Sequence, residues 1–121
     1  VVVHRLEYYK SIKDKEKYAE AAEEFVDFYF NQDNEKVFDI CVECVELFEK
    51  DEQFLEFSEK HLKKISRKED KPMYLQALAQ VYFFMNDADK ALKYAEKARE
   101  MAVEQEKSTK AIDQLIRRIE S

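Results

Sequence analysis

No glycine occurs anywhere in the 121 residues, and Pro72 is the only proline. Glycine supplies the positive φ that tight hairpin turns need, so a chain without it is poorly suited to a sheet of many short strands. Helices place no such demand on the chain and are best built without both residues. The same omission removes whole classes of chemistry. A Walker phosphate loop, a dinucleotide fingerprint and a G-x-S-x-G nucleophile elbow all require glycine, so none is present.

The chain is 45% hydrophobic and 40% charged, which suits a globular protein rather than a disordered one. Its length suits one domain. The balance of 21 basic against 27 acidic residues gives a net charge of −6, which works against nucleic acid or anionic lipid as the main partner. No run of 18 apolar residues occurs, so no membrane-spanning helix is expected. The start, VVVHRLEYY, has neither an initiator Met nor the layout of a signal peptide. It reads as an interior starting point, and a preceding domain is expected. Nothing assigns a compartment, and the cytoplasm and the bacterial periplasm both suit a soluble chain of this kind.

Apolar spacing sets out the helices. Val1 to Val3 favour strand, but Leu6, Tyr9 and Ile12 keep helical spacing, so a first helix is expected over about 4–12. From Asp14 to about Asn31, Tyr18, Ala21, Ala22, Phe25, Val26, Phe28 and Tyr29 make a broad apolar face, closed by the loop and capping residues Asn31 to Asn34. A helix over about 35–49 carries Val37, Phe38, Cys41, Val42, Val45 and Phe48. Another over about 52–66 carries Phe54, Phe57, Ser58, His61, Leu62 and Ile65. Pro72 then falls in the first turn of the next helix, where its missing N–H costs little.

Residues 73–104 are the best patterned stretch. The helix expected over 73–85 is apolar on nearly every side, through Tyr74, Leu75, Leu78, Ala79, Val81, Tyr82, Phe83 and Phe84, and must be covered on most of them. The corner Asn86-Asp87 joins it to a second helix over 87–102. There Ala88, Ala91, Leu92, Ala95, Ala98, Met101 and Ala102 recur at three and four, with Lys and Glu opposite. Small residues on that seam let two helix backbones approach closely, so that large side chains of the first helix wedge against them. A last amphipathic helix is expected over about 108–120, with Ile112, Leu115, Ile116 and Ile119 on one side.

The spacing Leu75, Leu78-Ala79, Tyr82, then Ala91, Ala95 and Ala98 resembles the tetratricopeptide repeat, whose helix pair carries W-x2-L-G-x2-Y followed by spaced small residues. Leu75 stands where the family usually has Trp, Ala79 where it has Gly, Ala95 where it has an aromatic, and Val103 where it closes on Pro. Phe38, Cys41-Val42 and Val45, with Phe54, Ser58 and His61, anticipate these positions 37 residues earlier and read as a degenerate repeat. The implied fold is an all-α array of six or seven antiparallel helices. N-terminal helices would occupy 1–33, the degenerate repeat 34–70, the better repeat 71–104 and a solenoid's capping helix 105–121.

The resemblance implies a non-catalytic protein-interaction or scaffolding module. Its partner is a protein, a peptide or an upstream domain of the same polypeptide, and no cofactor is expected. In the family, partners lie along the face made by the first helix of each pair. By position that face is Asp39, Glu43 and Glu46, with Met73, Gln76, Gln80 and Phe83. No Lys, Arg or Asn stands there, so the family's grip on a C-terminal carboxylate is not expected. An acidic, partly aromatic groove prefers basic or amide-rich peptide; the plainer reading of 39, 43 and 46 is one solvated helix face. The arrangement from about Asp14 onward also looks like the helical C-terminal region of some bacterial thioredoxin-like proteins, through YLQALAQVYFFMNDADKALKYAEKAREMA and its polar last helix. That resemblance would place a redox domain upstream.

Other candidates favour structural readings. Cys41 and Cys44 form a C-x-x-C, but both fall mid-helix among Ile40, Val42 and Val45. A redox pair usually exposes its first Cys at a helix N-terminus, so two buried thiols are expected here. His61 could come level with them, but two Cys and one His leave zinc short of a ligand, and a buried, hydrogen-bonded imidazole is expected instead. Ser58 lies one turn before His61, with no acid or oxyanion arrangement to make it a nucleophile. Lys60, Lys63, Lys64, Arg67 and Lys68, with His61, make a basic cluster that suits a helix C-terminus.

Overall fold

The computed structural model describes residues 14–48 and 51–121. Among them the chain forms six helices and no strand: α1 Lys15–Tyr29, α2 Asn34–Leu47, α3 Glu52–Lys68, α4 Pro72–Phe84, α5 Ala88–Glu104 and α6 Lys110–Glu120. Each helix expected from Asp14 onward is present, and its ends fall close to those the apolar spacing implies. The helix expected over 4–12 lies outside the described residues. The helices pack mostly in sequence order as antiparallel pairs. Two compact units result, one ending at Ile40 and the other running from Cys41 to Ser121.

Aspartates start most of the helices. The carboxylates of Asp14, Asp33, Asp51 and Asp87 accept backbone N–H groups of Lys17, Lys36, Gln53 and Lys90, at 3.1, 3.3, 2.9 and 3.1 Å. Each satisfies a donor that the first turn leaves without an intrahelical partner, and each places negative charge at the positive end of the helix dipole. Helix α4 has no side-chain cap; Pro72 instead removes one of the N–H groups in need of one.

Ending a helix is harder without glycine. Asn31, Asn86 and Glu106 all take positive φ, at 67°, 63° and 57°, just past the ends of α1, α4 and α5. At the end of α4 the Asn86 and Asp87 N–H groups donate to the carbonyls of Phe83 and Tyr82, at 3.1 and 2.9 Å. At the end of α5 those of Glu106 and Lys107 donate to Val103 and Ala102, at 3.1 and 2.8 Å. Both are Schellman closures, which normally use Gly at the left-handed position. Asn tolerates that conformation, whereas Glu has only the steric cost.

In the N-terminal unit α1 buries Tyr18, Ala21, Ala22, Phe25 and Val26. Phe25 and Phe28 both pack on the Tyr29 ring, with centroids at 4.8 and 4.9 Å, and Phe28 remains 59% exposed.

The second unit is built on α5. Ala91, Ala95, Ala98 and Ala102 are each at most 1% exposed, at spacings that keep all four on one side. Ala95 meets Ala79 of α4, so the two backbones approach through methyl groups. The seam also serves α6. Leu115 joins Ala79 and Ala95, while Ile112 joins Ala98 and Ala102, with Ile116 against both groups. Arg99 of α5 and Asp113 of α6 pair at 2.9 Å on the outside. The buried positions themselves recur: Cys41 and Leu78, Val45 and Tyr82, Phe54 and Ala91, Ser58 and Ala95, His61 and Ala98, and Ile65 and Ala102 are all buried, each pair 37 residues apart.

Two stability measurements check this account. Ala98→Leu overfills the seam and is expected to cost about 1–3 kcal/mol in urea unfolding, whereas Ala111→Leu, on the exposed side of α6, stays within about 0.5 kcal/mol. Glu106→Gly relieves a left-handed penalty of roughly 1–2 kcal/mol and raises unfolded-state entropy by somewhat less. A net gain of about 0.5–1 kcal/mol is expected.

Candidate interaction surface

Helix α4, PMYLQALAQVYFF, contains no charged residue, although charged residues make up 40% of the chain. Its buried side is Pro72, Tyr74, Leu78, Ala79, Val81 and Tyr82. The remainder is only partly covered. Met73 is 50% exposed, and Gln76, Ala77, Gln80 and Phe83 are half-buried. Among the described residues, neither the Gln76 nor the Gln80 amide makes a hydrogen bond. A half-buried amide with no internal partner meets its hydrogen-bonding needs only through water or a ligand.

Of the seven residues that position alone marks as a partner face, Glu46 and Gln80 line one cavity. It holds about 30 Å³ and is completed by Val42, Val45, Leu62 and Ala77, so α2, α3 and α4 all contribute. Glu46 is exposed and forms no ion pair among the described residues. Glu43 is half-buried on α2. Met73 and Gln76 lie on the open side of α4, whereas Phe83 is engaged elsewhere: the Arg118 guanidinium of α6 stands 5.4 Å from its ring centroid. Asp39 belongs to the N-terminal unit, where it is exposed.

A second, wider depression of about 540 Å³ lies where α3 passes the α4–α5 corner. Glu52, Glu56 and Glu59 line it from α3, Asp87 from the cap of α5 and Lys90 from its first turn, over the apolar Leu55, Phe84 and Met85. Tyr82 forms part of its wall. Burial, and then the Glu59 carboxylate, push the Tyr82 phenol well above its ordinary value. Spacing arguments missed this depression, because its acidic residues sit on a second helix of a pair and only the corner at Asn86 brings α5 beside them.

The chemistry candidates are all tied into the fold. Ser58 is buried and donates its hydroxyl hydrogen to the Cys41 carbonyl at 3.1 Å, which fastens α3 to α2. His61 is turned inward, 5% exposed, with its ring edge-on to Phe57 at 4.7 Å, so it is not part of the basic surface. Cys41 and Cys44 are free thiols at 0% exposure. Burial, and then the neighbouring Cys44, hold the Cys41 thiol far above its ordinary value. Among the described residues no three His, Cys, Asp or Glu side chains converge as a metal site, and no helix is long and apolar enough to cross a membrane.

Comparison with protein-family models, with curated proteins and with solved structures finds no match.

The thiols give a direct check on the packing. Both cysteines are expected to resist a disulfide reagent in native buffer at neutral pH and to react fully once urea has unfolded the chain, at a rate set by opening rather than by thiol reactivity. Rapid native labelling of either would mean that the α2–α3 contact is open in solution.

Proposed function

We propose that the chain is a non-catalytic protein-interaction module of tetratricopeptide-like construction. On this reading α2–α3 and α4–α5 are successive helix pairs and α6 closes the array. The recurrence of buried positions 37 residues apart supports the pairing, and the single observation that carries the functional reading is the surface of α4. A helix free of charge keeps Met73, Gln76, Ala77 and Gln80 partly open. A purely structural helix in so charged a chain would carry Lys or Glu on that side. Amides without partners beside an apolar strip are suited to an extended or helical peptide, which needs both hydrogen bonds and apolar contact. The ligand is a segment of another protein or of another domain in the same polypeptide. Glu46, which lines the cavity beside Gln80, sets the strip's preference toward basic or amide-rich sequence.

A photo-crosslinking side chain in place of Met73 should capture a protein segment well above the level obtained from the same group at Glu120. Joint replacement Glu46→Lys and Gln80→Arg should weaken binding of the captured segment by at least about tenfold, since like charges across an interface are costly, with helicity unchanged. Equal capture from both positions would overturn the assignment of the α4 face.

A further inference from the structure

The shape of the cavity beside Gln80 narrows the class of ligand. Its walls are the side chains of Val42, Val45, Leu62 and Ala77, and its polar residues are Glu46 and Gln80. At about 30 Å³ it is too small for an aromatic ring or a branched side chain entering whole. That volume is close to one methylene group's, so an unbranched stem seats a single methylene there and lies along the rim for the rest of its length. Glu46 is exposed and has no cationic partner among the described residues, so it can meet a charge arriving from solution. The Gln80 amide oxygen supplies an acceptor from the other side. Apolar walls with acceptors on the rim match one kind of side chain: a flexible alkyl stem that ends in a cation.

From this geometry we infer that the cavity between α2, α3 and α4 receives a lysine or arginine side chain of the bound peptide. The stem lies against Val42, Val45, Leu62 and Ala77, and the head group donates to Glu46 and Gln80. The inference rests on the interaction-surface reading above and specifies its ligand. The acidic balance of the whole chain, −6, favours approach of such a segment, while the local carboxylate fixes its register.

Capped tripeptides separate the contributions. Ala-Lys-Ala, Ala-norleucine-Ala and Ala-Glu-Ala differ only in the central side chain, and norleucine keeps the four-carbon stem without the charge. Each is titrated into the full chain while backbone amide resonances are followed by NMR. The lysine peptide is expected to move Val42, Val45, Ala77 and Gln80, with a dissociation constant on the order of millimolar. The norleucine peptide should move the same resonances about threefold to fivefold more weakly, the range for one partly exposed ion pair, and the glutamate peptide should move none. Glu46→Gln should bring the lysine peptide down to the norleucine affinity. Ala77→Leu, which fills the cavity, should abolish both responses, and an otherwise unchanged spectrum will show that the variant is folded.

Equal affinity for lysine and norleucine would overturn the charged-ligand inference and leave the α4 face intact as a binding surface. Shifts confined to Glu52, Glu56 and Glu59 would place the cation in the wider depression and overturn it as well. No response from any peptide at α4, together with equal crosslinking from Met73 and Glu120, would remove both this inference and the reading on which it rests.

Discussion

The second unit depends on how closely α5 is approached by its neighbours. Four alanines, Ala91, Ala95, Ala98 and Ala102, leave no side chain on that face larger than a methyl group. A helix that presents only methyl groups lets a neighbour's axis come near the short end of the usual 8–10 Å range. Close approach on one face would matter little if a single helix used it. Here α4 and α6 both do, since Ala79 and Leu115 meet around the same Ala95. The seam is therefore a shared wall, and its smallness is what allows two helices to pack against it. Larger residues there would push α4 and α6 away together, exposing Ile112 and Leu115 along with Leu78 and Tyr82.

A chain without glycine meets its second constraint at helix ends. The closures after α4 and α5 have the same hydrogen-bond pattern, but Asn86 occupies one and Glu106 the other. Asn is the usual substitute in the left-handed region, and Glu is not. The geometry at Glu106 persists because both flanking hydrogen bonds are made and because Gln105, next to it, donates its side-chain amide to the Asp70 carbonyl at 2.6 Å. That bond ties the end of α5 to the loop before α4. The strain thus lies in a corner held from two sides.

Helix existence was legible in the sequence because long apolar periodicities of three and four have no competing reading in a chain free of glycine and nearly free of proline. The inward faces of Ser58 and His61 were legible for the same reason: each sits 37 residues before an alanine of the seam, and the buried positions repeat. What escaped has a physical cause in each case. Periodicity makes the seam a notch for α4 alone, because it shows which side of a helix is small and not how many neighbours share it. Register puts Phe83 on the open face, yet Arg118, 35 residues later, stands over its ring. A cation meeting an aromatic ring across that separation leaves no trace in local spacing. The cavity beside Glu46 and Gln80 is half legible, since position marks both residues, but its walls come from three helices, with Leu62 of α3 and Ala77 of α4 completing it.

The separation of roles between α4 and α5 follows from their compositions. Helix α5 puts its smallest residues inward and alternating charges outward, so its outer face is satisfied by water and by its own neighbours. Lys93 and Lys97 lie over the Tyr94 ring at 5.8 and 5.3 Å, and Arg99 is held by Asp113. Helix α4 does the reverse. It buries two tyrosines and a leucine on one side and leaves uncharged amides and a methionine on the other. Stability needs only the first of those sides. Two glutamines and a methionine on the second add no stabilising ion pair, and they leave amide groups that only water or an incoming chain can satisfy. The fold therefore concentrates its packing on the alanine wall and leaves the opposite side of α4 only partly covered, bordered by the Glu46 carboxylate, which has no ion-pair partner among the described residues. Adjacent helices so differently furnished are what a surface that binds another chain requires: one element fixes the geometry, and its neighbour is free to present groups that the geometry does not consume.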